Sequence, residues 1–162
     1  VNSFAQAILI LGRHQLRRWL NLMLFAARQG DKRSAMLLAR VAMRGRAIEL
    51  LARARGMDKN AQEQGFMAGM FSLLGVLFGM PLAEVLAPLA ISDAVRAALL
   101  ERKGELGALL ALVESAEQGD FGNAAARLGS LQLDAADFNA AVLEAAAWML
   151  EVVRENQGAA HG

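Results

Sequence analysis

A chain of 162 residues, 56% of them apolar and with a mean hydropathy of +0.31, is long enough to bury one sizeable core. It contains no Cys, which excludes a disulfide framework and a thiolate metal site and fits a reducing cytoplasm. The net charge is only +1, yet residues 1–60 hold twelve Lys/Arg against three Asp/Glu, and residues 61–162 hold five against thirteen.

Such a split can mark a nucleic-acid face, a bundle whose two halves attract each other, or a half that docks on an acidic neighbour. The basic residues are not interleaved with stacking aromatics, which argues against nucleic acid. Thr and Tyr are absent, and Val and Ile are sparse beside Leu and Ala, so strand formers are scarce and an all-α chain is expected. The first residues, VNSFAQAILILG, lack the basic start of a signal peptide.

In chain order, Ser3 can cap a short helix through Leu11 that Gly12 stops. A second helix is predicted over Arg13–Gln29, ending at Gly30, with Leu16, Leu20, Met23, Leu24 and Ala27 as its apolar stripe. The third, Arg33–Arg55, has two apolar faces: Leu37, Val41, Ile48 and Ala52 on one, Met36, Met43, Ala47 and Leu50 on the other. Arg46 and Arg53 lie on one strip between them, and Arg33, Arg40 and Arg44 on the other. A helix of this kind packs against two layers and belongs at the centre.

The stretch from Gln64 to Met80, QGFMAGMFSLLGVLFGM, is uncharged and apolar around its circumference, which means deep burial or a membrane. A span needs about 20 apolar residues, and the uncharged run reaches that length only by including Gln64 and Pro81. Gly65-x-x-x-Gly69 and Gly75-x-x-x-Gly79 match the close-packing motif of membrane helices, but Gly79 breaks the run and no basic cluster flanks it. A core helix, not a membrane span, is the expectation. Pro81 then suits the first turn of a short helix to Leu86 or Ala87, ended by Pro88. Ser92 caps a helix through Arg102, and another covers Glu105–Gln118. A short segment covers Phe121–Leu131, and Asp134 caps a long last helix with Phe138, Val142, Ala145, Met149 and Val152 buried. The tail NQGAAHG is expected to fray.

Catalytic groups are few. His14 and His161 are the only histidines, neither is followed by Asp, and no second His stands at i+3 or i+4 to build a helical metal site. Glu114 with Glu117 is read as a solvated pair on a polar helix face, and Asp134 with Asp137 as an N-cap and its N3 neighbour. No Ser has a His–Asp partnership. Gly104-Glu-Leu-Gly107 has no Lys-Ser/Thr after it, and Trp19 and Trp148 fall at core or core-edge positions. The residues assign no catalytic, cofactor or metal site, and no cofactor.

The blocks AILILGRHQLRRWLNLMLFA, RAIELLARARG and QGFMAGMFSLLGVLFGMPLAEVL resemble the HDOD family, the HD-related output domains of bacterial signalling proteins. The run LAISDAVRAALLERKGELGALLALVESAEQGDF is similar to the variety fused behind an EAL-type cyclic di-GMP phosphodiesterase domain. The resemblance covers about residues 3–150. It implies an HD-domain-like helical bundle that usually lacks the metal-binding His-Asp doublet, and this chain has no such doublet. Relatives carry further helices before the block that starts at Ser3, so residues 1–162 are expected to be the C-terminal part of such a domain. The missing helices would cover the second face of the third helix, or a second copy of the chain would.

Three readings follow. The first is a non-catalytic signal-transduction module that acts on a protein partner or an adjacent domain and is linked to cyclic di-GMP turnover. The second is a nucleic-acid or nucleotide-binding helical domain using the basic first half. The third is a degenerate phosphohydrolase that draws metal ligands from the missing helices. Arg40, Arg44, Arg46 and Arg53 are the surface residues that would be mutated first.

Overall fold

The computed structural model describes residues 32–161 except 74, 77, 78 and 88–90, with side chains from residue 39 onward and without those of 152, 153 and 155–161. The helices expected over Ser3–Leu11 and Arg13–Gln29, and the stop at Pro88, lie outside the described residues. Among those described, every regular element is an α-helix, and the bundle is all-α.

Helix α1, Lys32–Ala54, packs along α2, Lys59–Phe71, and along the last helix, and also meets α5. Its two apolar faces both find neighbours. Val41, Ile48 and Ala52 are buried on one side, Ala47 and Leu50 on the other, and Met43 is half-buried. Burying a side chain the size of Leu or Ile stabilises by about 1.5–3 kcal/mol, so a helix with two such faces is drawn to the centre.

Helix α2 starts where the Asp58 carboxylate accepts the Ala61 N–H at 2.8 Å. Gly65, Phe66 and Ala68–Phe71 are buried, the environment expected of this uncharged stretch. The helix does not run on to Met80, however. It ends at Phe71, where the Ser72 hydroxyl donates to the Gly69 carbonyl at 2.7 Å, and Val76 beyond it stands exposed.

Among the glycines of the stretch, Gly69 is the point of closest approach: a Cβ there would lie 2.6 Å from the Gly45 Cα of α1. Gly79 instead makes a turn at φ +65° with open space beside it, so its role is conformational. No helix among the described residues is long and apolar enough to cross a membrane.

Helix α3, Leu82–Leu86, follows Pro81. Helix α4, Asp93–Glu101, is capped by Ser92, whose hydroxyl accepts the Val95 N–H at 3.2 Å. Helix α5, Gly104–Glu117, packs on α4, on α1 and on α6, Phe121–Ser130. Helix α7, Ala135–His161, opens on a reciprocal cap: the Asp137 N–H donates to Asp134 at 2.7 Å and the Asp134 N–H donates to Asp137 at 3.1 Å. It continues to His161, through most of the tail expected to fray, which includes the helix-favouring Gln157, Ala159 and Ala160. Phe71, Ile48, Leu51, Leu86, Leu99, Leu109, Leu110 and Leu112 form the driest part of the core.

Candidate functional site

Eight of the fourteen residues of helix α5 are Leu, Ala or Val, and the helix carries Glu114 and Glu117 beside them. Two carboxylates held there need positive partners, since burying an unpaired charge is costly. Arg44, at the middle of α1 and only 7% exposed, supplies one. Its Nε donates to Glu117 Oε2 at 3.0 Å, and its Nη2 donates to the other Glu117 oxygen. Its Nη1 donates to the Ser72 hydroxyl at 3.0 Å and lies 3.6 Å from Glu114 Oε2.

Glu114 is gripped in turn by Arg102, whose Nε and Nη2 donate at 2.7 and 2.9 Å. Arg102 occupies the left-handed position that ends α4 and also donates to the Leu99 carbonyl there. The result is an alternating row, Glu117–Arg44–Glu114–Arg102, that ties α1, the end of α2, the end of α4 and α5 together.

This cluster corrects the sequence reading twice. Glu114 and Glu117 are not a solvated pair: their side chains are 23% and 27% exposed and both are engaged by arginine. Arg44 is not a surface residue. The signal that could have exposed both errors was a carboxylate pair three residues apart in an otherwise apolar helix, facing a chain half rich in arginine.

The other arginines of α1, and Arg55 just after it, are distributed differently. Arg46 is 18% exposed and pairs with buried Glu49 one turn on. Arg53, 59% exposed, reaches Glu144 of α7 at 3.3 Å. Arg55 binds Glu105 of α5 at 3.0 Å and donates to the Leu131 carbonyl. Arg40 is exposed. The charge split between the two halves of the chain is thus met in part by ion pairs from α1 to α5 and α7.

Beside the ion row lies a cavity of about 570 Å³, open to one side. Met43 and Ala47 of α1, Val113 of α5, and Phe138 and Val142 of α7 line it, with Phe121 at its mouth 73% exposed. Arg40, Arg44 and Glu117 are its polar edge. This is the second face of the two-faced helix. Further along α7, Trp148 packs edge-on against Phe66 of α2 with ring centres 6.1 Å apart, a packing role as expected.

Chemically the arrangement is suited to holding helices together. Every carboxylate in the row has a guanidinium against it, and no nucleophile–base pair accompanies them. No group of three or more His, Cys, Asp or Glu among the described residues is placed to hold a metal ion. His14 and Trp19, and the side chains of Arg33 and His161, lie outside the described residues.

Two curated proteins are similar to the chain. The cyclic di-GMP phosphodiesterase CdgJ of Vibrio cholerae is 31% identical over 154 residues, an overlap that takes in 95% of this chain and 35% of CdgJ. The uncharacterized protein YuxH of Bacillus subtilis is 29% identical over 150 residues, 91% of this chain and 36% of YuxH. The chain therefore spans about a third of the length of the curated relatives it matches. No family model matches it. No solved structure matches it either.

Proposed function

We propose that this chain is a non-catalytic signal-transduction module of the HDOD type that regulates cyclic di-GMP turnover through contact with a protein partner or an adjacent domain. The single observation that carries the reading is the similarity of 95% of the chain to about a third of a cyclic di-GMP phosphodiesterase. An enzyme of that length has room for a separate catalytic region, and the carboxylates gathered here are occupied by arginines rather than turned toward a substrate. The ordered sequence blocks support the HDOD assignment, and the cysteine-free composition supports a place in the cytoplasm.

The test is direct. The purified 162-residue chain, incubated with cyclic di-GMP and magnesium, should produce no linear dinucleotide. Turnover that survives removal of contaminating phosphodiesterase, and that is lost in a Glu114→Gln variant, would overturn the non-catalytic reading.

A further inference from the structure

The cavity between α1, α5 and α7 has no part in the regulatory reading, yet its size, lining and charge are those of a ligand site. We propose that it binds a linear aliphatic carboxylate of medium chain length, with the alkyl chain along the apolar floor and the carboxylate at Arg40. The proposal goes beyond the regulatory reading and stands without it.

Size separates a small molecule from a protein segment. A volume of about 570 Å³ lies within the range of roughly 300–1,000 Å³ that small-molecule pockets occupy. A partner helix, about 10–12 Å across with its side chains, is too wide to enter such a space and would only lay side chains over its mouth.

The lining selects an alkyl chain. Met43, Phe138 and Val142 are half-buried and Val113 is buried, so the floor is carbon. The lining residues run from Ala39 to Ala47 on α1 and from Phe138 to Ala145 on α7, which makes each wall about 10–12 Å long at the helical rise. An extended chain of medium length matches that dimension. A molecule charged along its length would bring unpaired charge against the floor.

The edge selects an anionic head. Glu117 is held at both oxygens by Arg44, so this pair adds no net charge to the groove. Arg40 stands one turn before Arg44, is exposed, and has no hydrogen bond or ion pair among the described residues. It is the uncommitted charge on the described lining, and its planar guanidinium matches a carboxylate in a two-pronged grip.

Decanoate is the probe, titrated below its micelle concentration into the purified chain. Calorimetry and the Met43 methyl signal in NMR should both report saturable one-to-one binding. Octanoate, shorter by two methylenes, should bind about tenfold more weakly. Arg40→Gln should weaken decanoate about three- to fivefold and leave decanol unchanged. Ala116→Leu and Ala39→Leu fill the groove from different walls, and each should weaken decanoate at least about tenfold while keeping the helical circular dichroism of the parent. Two such variants guard against one that fails to fold. Absence of saturable binding to the folded parent would mean that protein covers the groove, and would overturn the proposal. Binding that leaves the Met43 signal unmoved, or that survives in folded filling variants, would place the ligand elsewhere and overturn it too. Equal losses of decanoate and decanol in Arg40→Gln would contradict the carboxylate at Arg40.

Discussion

The Arg44 guanidinium on α1 holds both carboxylate oxygens of Glu117 on α5, a residue 73 positions further along the chain. This partly buried contact joins the basic first part of the sequence to the acidic second part. Arg44 is 7% exposed and also serves Ser72, so its loss would strip Glu117 of this partner while Glu114 keeps Arg102.

Arg44→Ala should therefore lower stability by about 1.5–3 kcal/mol, the range for losing hydrogen bonds to a charged group in a partly buried pair. Arg53→Ala, which breaks the exposed pair with Glu144, should cost no more than about 1 kcal/mol. Urea unfolding monitored by circular dichroism gives both values. A double-mutant cycle of Arg44→Ala with Glu117→Gln should show strong coupling between the two sites.

Gly69→Ala should be destabilising by about 1–3 kcal/mol, since its new methyl would meet the Gly45 backbone at 2.6 Å and force α1 and α2 apart. Gly129→Ala is the contrasting case. It lies in α6 with nothing within 4 Å of an added Cβ, and the gain in helix propensity should stabilise by up to about 1 kcal/mol. Thermal unfolding of the two variants should move in opposite directions.

The Asp120 carboxyl is held below the usual carboxylate range, first by the Asn123 side-chain amide and then by the Asn123 backbone N–H, with the Arg127 charge adding to both. A lowered value means that its contribution to capping α6 is present at neutral pH and is lost as pH falls through the lowered midpoint. A carbon-detected NMR titration should find that midpoint below the ordinary one. Asn123→Ala should raise it.

Much of the helical plan could be read locally. Ser92 and Asp134 announce their helices because a cap is a contact within three residues, and the two faces of α1 are visible in one turn-by-turn pattern. Asp58 is a cap of the same kind that the uncharged run after it overshadowed. The end of α2 at Phe71 was not legible, because Ser72 stops the helix while bound to Arg44 from another helix. The ion row was hidden for the same reason. A window of sequence contains Glu114 and Glu117 but not the arginine that folds against them.

The ion pairs from α1 also bear on the basic first half as a nucleic-acid surface. Arg44, Arg53 and Arg55 already face carboxylates of α5 and α7, so phosphates would have to compete for them. The chain should show no binding to duplex or single-stranded DNA in a fluorescence anisotropy titration at 0.15 M salt. Binding that weakens steeply with added salt would restore that reading.

The most direct test of regulation is the rate of cyclic di-GMP hydrolysis by the polypeptide of the complete gene, measured with residues 1–162 of this chain present and removed. The account predicts that removal changes kcat or KM severalfold while hydrolysis itself persists. Identical kinetic constants in the two forms, or hydrolysis abolished outright and restored by adding the isolated 162-residue chain with metal alone, would contradict it.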